Sequence, residues 1–347
     1  MKSILTFIIS FLAAFLSLPL LRALAVHFNI LDFPGKRKMH NVATPLLGGA
    51  ALYIGLIAGL FFNTRNISLF FPVIFGATSV FILGLVNDVT PLSARLRFLW
   101  QFLIALIVVC MGVHVDFVPK FYGKDILEAL ITAVWFVGIT NAYNYLDGLD
   151  GLAAGSAAIN LFCFSVILYM TGQYSLGLLA ISLIASCIAF LPYNFQKRKM
   201  FLGEAGSTFL GFILAGIGLV GNWAGDSIVK ISIPIVVLGV PIFDMIFTTI
   251  MRIKEGKVRN LVEWLQYGGK DHFHHYLVDL GLKPVGSVLF IYCVTLSLGI
   301  SAIVISNGTA MEGFLGIIQA SIILGMIGIL IVMGKKHRNG EEVLTKP

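Results

Sequence analysis

Five carboxylates and three histidines stand out in a chain with few charges to place. Asp88 falls in Asn87-Asp88-Val-Thr-Pro91, which runs on through Ser93, Arg95, Arg97, Phe98 and Gln101. Asp147 and Asp150 lie in Asn144-Tyr-Leu-Asp147-Gly148-Leu-Asp150-Gly151-Leu152, and Glu204 in Phe201-Leu-Gly203-Glu204-Ala-Gly206-Ser207. Asp244 follows Pro241, and Asp271-His272-Phe273-His274-His275 holds three of the seven histidines. Carboxylates without cysteine partners favour a hard, oxygen-seeking cation, Mg2+ or Mn2+, which keeps waters and bridges substrate phosphates. With Lys199, Arg252 and the histidines beside them, these acids suggest phosphoryl transfer. No Walker A or kinase signature is present, so ATP is not the obvious donor.

Taken singly, the segments differ in how sharply they speak. Asn-Asp followed by Pro also reads as a turn capped by snorkelling arginines. Asp147 and Asp150, three apart, share one face of a helical turn, and their glycine neighbours let the backbone approach a ligand. That segment adds the amides of Asn141 and Asn144 and holds no basic residue, on a side where the other loops are basic; it reads as a cation or polar-ligand site. Gly203, Gly206 and Ser207 around a helix start offer backbone N–H groups to an anion, and Glu204 adds a hard oxygen ligand. The Lys197-Arg198-Lys199 run just after Asn194 is by itself a membrane-surface anchor. Asp244 precedes Arg252 by two helical turns, about 12 Å at ~1.5 Å per residue, deep enough to need a partner. The histidines lack the partners of a zinc site and suit phosphate oxygens better.

The elements that carry these residues are membrane helices. The chain is 58% hydrophobic and 12% charged, where soluble chains average about 25% charged residues. That composition excludes a soluble domain, a disordered chain and a disulfide scaffold, and the apolar runs are too long for outer-membrane barrel strands. Runs able to cross a ~30 Å hydrocarbon core occur at about 4–26, 46–63, 70–86, 98–115, 126–143, 152–171, 175–193, 206–222, 228–251, 286–306 and 312–334. The expectation is an all-α polytopic protein with about 11 transmembrane helices, the first a retained span and not a signal peptide. Lys and Arg concentrate in the loops around 36–38, 95–97, 197–199 and 252–283 and after residue 335, which predicts that side to be cytoplasmic, with the N-terminus outside. Residues 1–334 then form one integral-membrane domain, with working loops at 27–45, 87–97, 141–151, 194–205 and 252–285, and 335–347 is a basic cytoplasmic tail. The four cysteines sit singly in apolar spans and read as core filler.

Together these segments resemble the polyprenyl-phosphate N-acetylhexosamine-1-phosphate transferases, glycosyltransferase family 4. The first is similar to that family's Asp-Asp-x-x-x-Leu-Ser-Ala motif, with Arg97 for its usual Lys; Asn144 to Leu152 matches Asn-x-x-Asp-Gly-x-Asp-Gly-Leu almost letter for letter. Phe201 to Ser207 resembles Phe-Met-Gly-Asp-x-Gly-Ser, and Asp244 matches the acid after a Pro-Ile pair. Arg37-Lys38-Met39-His40, Thr44-Pro45 and Gly48-Gly49 resemble the family's first inner loop. His272-x-His274-His275 resembles the N-acetylglucosamine-1-phosphate branch more than the muramoyl-pentapeptide branch, whose histidine triplet is uninterrupted. The resemblance covers Lys36 to about Leu282.

It implies an enzyme that transfers N-acetylhexosamine 1-phosphate, in this branch GlcNAc-1-phosphate, from a UDP-sugar to polyprenyl phosphate such as undecaprenyl phosphate, releasing UMP at the cytoplasmic face and initiating a cell-envelope polysaccharide. It implies Mg2+ or Mn2+ with Glu204 as principal ligand beside Asp147 and Asp150. Asp88, Asp147, Asp150, His272, His274 and His275 are then the catalytic set. Asn87, Asn144, Lys199, Asn194, Asp244, Lys38, His40 and Arg97 are the substrate-binding set. Expected partners are the UDP-N-acetylhexosamine, the polyprenyl lipid and anionic membrane lipids; no nucleic acid is expected, and a homodimer stays open. Three departures stand against the pattern: Asn87 and Glu204, each where the family has Asp, and Gln196-Lys197-Arg198 where it has Pro-Pro-Ala. They leave alternatives: a member acting on another UDP-sugar, a polyprenyl-lipid binding or flipping protein, or a transporter using Asp244 and the Asp pair as a relay.

Overall fold

The computed structural model describes residues 1–33, 42–61, 67–115, 122–195, 200–267, 269 and 271–344. Every apolar run becomes a helix. In chain order these are α1 (Lys2–His27), α2 (Gly48–Leu60), α3 (Ile67–Val89), α4 (Ala94–Cys110), α5 (Lys124–Leu146), α6 (Leu152–Met170), α7 (Tyr174–Asn194) and α8 (Gly203–Val220). The pair α9 (Ser227–Val237) and α10 (Gly239–Lys254) comes next. Two short helices, α11 (Leu261–Gln266) and α12 (Phe273–Asp279), occupy what reads in the sequence as a long loop, before α13 (Pro284–Ile305) and α14 (Ala310–Leu344). A two-residue antiparallel ribbon, β1 (Leu31–Asp32) against β2 (Thr44–Pro45), joins α1 to α2.

Among the described residues, eight helices are long and apolar enough to cross a membrane, and the bent α9–α10 pair makes a ninth. The difference from the expected eleven is α2 and α4, which are shorter than full-length spans. α2, with 13 residues, and α4, with 17, extend only about 20 and 25 Å at ~1.5 Å per residue. The run 228–251 is not one straight helix either, because the axis turns by 72° at Leu238. Pro241 has no N–H to give to the carbonyl of Val237 four residues back, which removes a helical hydrogen bond at this bend, although Pro19, Pro72 and Pro192 lie inside unbroken helices. Asp244 therefore lies on a redirected segment, and its distance along a straight helix from Arg252 is not a depth. The segment read as a solvated tail continues α14 as far as Leu344.

The packing centre is α8, buried along nearly its whole length by α2, α3, α5 and α6. Two glycines make the close approaches that position the polar residues at its start. A Cβ on Gly49 would lie 2.3 Å from the Gly206 nitrogen, and one on Gly84 would lie 2.4 Å from the Ala205 Cα. Only a bare backbone lets α2 and α3 touch the first turn of α8, and that contact brings Asn87 and Asp88 against Glu204. On the outside, Leu16, Leu20, Ile300, Val304, Ile329 and Leu330 are exposed, a surface suited to lipid and costly in water. Cys163 and Cys187 are core filler as read, whereas Cys110 and Cys293 lie on exposed helix faces; all four are unpaired.

Candidate active site

Helices α1, α3, α5 and α7 end, and α2, α4, α6 and α8 begin, around one polar cavity of about 600 Å³. Its walls hold Asp32 of β1, Asn87 and Asp88 at the end of α3, Asn144 on the last turn of α5, and Gly148 between Asp147 and Asp150 in the α5–α6 turn. Asn194 ends α7, Phe201, Gly203 and Glu204 open α8, and His275 comes from α12. Eight residues singled out by sequence thus share one cavity: Asn87, Asp88, Asn144, Asp147, Asp150, Asn194, Glu204 and His275. Lys38, His40 and Lys199 lie outside the described residues.

Each wall residue is set by a specific bond. Asp88 accepts the backbone N–H groups of Glu204 at 2.8 Å and Ala205 at 3.1 Å, so one carboxylate caps the free donors at the start of α8. Glu204 accepts from Asn87 Nδ2 at 2.7 Å and forms an ion pair with Arg97 of α4. Arg97 is therefore placed on Glu204 and not on the cavity wall. Asn144 accepts the Ser207 hydroxyl at 2.9 Å through Oδ1, and its Nδ2 has no partner among the described residues, which leaves a donor for a ligand. Asn194 is different: Oδ1 takes the Gly151 N–H at 2.6 Å and Nδ2 donates to the Met200 carbonyl at 3.1 Å. Asn194 thus ties the α6 start to the segment before α8 while it also lines the cavity.

Of the three histidines, only His275 lines the cavity. His272 Nδ1 lies 2.9 Å from Asp244 Oδ2, and its Nε2 lies 3.2 Å from Arg252 Nη2. A guanidinium can only donate, so Nε2 is the acceptor and the ring proton sits on Nδ1, facing Asp244. His272 is thus a link inside a buried network, with both ring nitrogens engaged and neither left for a phosphate. Asp244 also accepts the Phe273 N–H at 2.6 Å, and Arg252 forks onto Asp271 at 2.7 and 3.0 Å. Asp244, fully buried behind His272, cannot reach a ligand in the cavity; it anchors α12 to α10, and its expected substrate-binding role is corrected accordingly. His274 is fully buried with no hydrogen bond to either ring nitrogen among the described residues, and burial followed by the neighbouring His275 pushes its pKa down to about 3. It is neutral at any ordinary pH and cannot neutralise a diphosphate. A Cβ on Gly148 would fall 2.1 Å from His274 Nε2, so glycine there lets the acidic turn lie flat on the ring.

Sequence reasoning missed Asp32, a cavity acid whose one signal is an acidic residue in an otherwise basic first inner loop. It also missed Asp271 as the partner of Arg252, Ser207 as the residue that orients Asn144, and Tyr292, whose hydroxyl donates to the Gly151 carbonyl at 2.5 Å.

Among the described residues no three His, Cys, Asp or Glu side chains are arranged as a ready-made metal cage. The donor set still suits Mg2+, which is commonly held by one or two carboxylates, waters and substrate phosphates. Asp88, Asp147, Asp150 and Glu204 face one space, and the Asp147 carboxyl is pushed up to about 7 by burial and then by Asp88 and Asp150. Such crowding of negative charge is what a divalent cation relieves.

A carboxylate-walled cavity sunk into one end of an apolar helical bundle defines an integral membrane protein with a site for a charged ligand. Residues 70–222 match glycosyl transferase family 4. The chain is 36% identical over 318 residues to a protein of Bacillus subtilis (strain 168) named probable undecaprenyl-phosphate N-acetylglucosaminyl 1-phosphate transferase, covering 89% of this chain and 86% of that one. It is 30% identical over 308 residues, 79% and 76% of the two chains, to the decaprenyl-phosphate N-acetylglucosaminephosphotransferase of Mycobacterium leprae (strain TN). A phospho-N-acetylmuramoyl-pentapeptide-transferase of Staphylococcus saprophyticus is 28% identical over 242 residues, 63% and 75% of the two chains, the order that the interrupted histidine motif leads one to expect. The chain belongs to glycosyl transferase family 4.

Proposed function

We propose that this chain transfers N-acetylglucosamine 1-phosphate from UDP-N-acetylglucosamine to a polyprenyl phosphate, forming polyprenyl-diphospho-N-acetylglucosamine and UMP. The observation that carries the reading is the single cavity in which Asp88, Asp147, Asp150 and Glu204 meet at one end of a lipid-facing bundle. The named activities of the relatives select the substrates. An oxygen of the polyprenyl phosphate attacks the β-phosphorus; the bond from that phosphorus to the bridging oxygen breaks, and its electron pair leaves on UMP. A phosphate monoester with a second pKa near ~6 is already largely dianionic at neutral pH, so the nucleophile needs little help from a base. The harder task is to hold two anions together. When bound, Mg2+ would supply that charge, with Glu204, Asp147 and Asp150 as its protein ligands. Asn144 offers its amide to the donor, and Asp88 fixes the start of α8, whose N-terminal end favours anions.

The same reading takes all eleven helical segments, α9–α10 counted once, as crossings, with the cavity in the cytoplasm. The alternation of helix ends around the cavity supports it, since the short α2 and α4 must each carry the chain from one end of the bundle to the other. Arg95 and Arg97 open α4 at the cavity end, as expected for a cytoplasmic face.

The test uses purified protein in detergent with polyprenyl phosphate, Mg2+ and a panel of UDP-GlcNAc, UDP-GalNAc and UDP-MurNAc-pentapeptide, reading UMP. UMP release with UDP-GlcNAc is the expected result. Release only with another donor would change the sugar, and silence across the panel with lipid bound would refute the reading.

A further inference from the structure

Asn87 and Glu204 depart from the family pattern at two points that are far apart in sequence, yet their side chains touch. The Asn87 amide is oriented from behind: its Oδ1 accepts the Leu92 N–H at 2.8 Å, so Nδ2 must face outward, and it donates to Glu204 Oε2 at 2.7 Å. An aspartate at 87 would keep the Leu92 bond and place an anionic oxygen within hydrogen-bond distance of a carboxylate. An aspartate at 204 would be shorter by one methylene, about 1.5 Å, and would fall short of Asn87. Each departure therefore makes sense only with the other. The third member is Arg97, whose guanidinium pairs with the same Oε2; the side chains are 27% and 14% exposed, so the pair is partly shielded from solvent. Among the described residues Glu204 Oε1 has no hydrogen bond and the buried Arg97 Nε has no partner. The carboxylate is thus neutralised from one side by a cation that cannot deprotonate.

We infer that Asn87, Arg97 and Glu204 work as one unit: Arg97 is a resident counter-cation that opposes a divalent ion for the Glu204 carboxylate, and Asn87 is the positioning residue that makes glutamate the workable acid at 204. The inference rests on the reading of Glu204 as an ion ligand. It assigns to Arg97 a weakening of ion binding, whereas a purely structural salt bridge would change stability and leave ion affinity alone. It assigns to Asn87 a dependence on the length of its partner.

The experiment measures Mn2+ binding to the purified protein without substrates, from the electron paramagnetic resonance signal of the free ion. Wild type is compared with Arg97→Ala, Arg97→Lys, Glu204→Gln, Asn87→Asp, Glu204→Asp and the Asn87→Asp/Glu204→Asp double variant, each checked for a single gel-filtration peak. Arg97→Ala is expected to bind Mn2+ on the order of tenfold more tightly, the scale of one partly shielded charge pair, and Arg97→Lys to stay near wild type. Arg97→Gln replaces the alanine variant if that one fails to fold. The double variant is expected to bind at least about threefold better than the two single effects combined would give. Unchanged or weaker binding in Arg97→Ala, with binding lost in Glu204→Gln, overturns the counter-cation role and leaves the ion ligand standing. Additive effects of the two aspartate changes overturn the coupling. Full Mn2+ binding by Glu204→Gln removes the ion-ligand reading itself, and this inference with it.

Discussion

The buried network that fixes α12 permits a quantitative test. Arg252 and Asp271 have side chains only 2% and 6% exposed, and they meet through two hydrogen bonds of 3.0 and 2.7 Å. Replacing Arg252 by Met keeps the volume roughly constant and strands the Asp271 carboxylate away from water. Stranding one partner of such a pair costs about 3–5 kcal/mol, whereas replacing both by apolar groups is close to neutral. At ~2–4 °C per kcal/mol, with the low end suited to a long chain, the single change should lower the midpoint of heat-induced loss of the gel-filtration peak by at least about 6 °C. Arg252→Met/Asp271→Leu should recover most of that loss. Since the pair ties the segment 271–279 to α10, amide exchange should rise first at Phe273, whose N–H is held by Asp244, and along α12. A shift under about 2 °C for the single variant, or a double variant as poor as the single, would refute the claim that this network clamps the His275 helix.

Two more outcomes are expected of the cavity itself. The Asp147 carboxyl, raised to about 7 against an unfolded value of 3.8, binds its proton more tightly when folded; in the ion-free protein its contribution to stability falls as pH rises from about 4 to 7, while divalent binding, which needs the carboxylate, strengthens over the same window. Mn2+ titrations at pH 6 and 8 check the sign, and tighter binding at pH 6 would contradict it. Ser207→Ala frees Asn144 at a stability cost of about 0.5–1.5 kcal/mol, and should raise the KM for the UDP-sugar several-fold with a smaller change in kcat. An unchanged KM would remove Asn144 from the donor site.

The parts of the molecule legible in the sequence are those governed by local composition. Eleven apolar runs become helices because 17 or more apolar residues in a row have no better option, and the Asp147–Asp150 turn shows itself through glycines and acids where neighbouring loops are basic. The bend at Leu238 was written in Pro241, but in a membrane sequence a proline within an apolar run does not by itself announce a 72° turn. The histidine motif shows the limit most clearly. Its residues differ by at most three positions, yet one lines the cavity, one is locked between Asp244 and Arg252, and one is buried against Gly148. Those fates depend on α10 and on the α5–α6 turn, elements far away in sequence, and no spacing rule encodes them.

The departures at 87 and 204 extend the same point from position to meaning. Along the chain, an amide for a carboxylate and a longer acid for a shorter one count as two separate losses from a metal site. In three dimensions Gly84 lets α3 come against the first turn of α8, and the two changed side chains meet there in one hydrogen bond of 2.7 Å. One change removes a negative charge at the place where the other extends one, so the local charge and reach are redistributed and not simply lost. A decayed site would be expected to lose such contacts independently, leaving unmatched groups; here the amide is oriented by Leu92, the acid is held by Arg97, and both remain on the cavity wall. The geometry is that of a site rebuilt around glutamate.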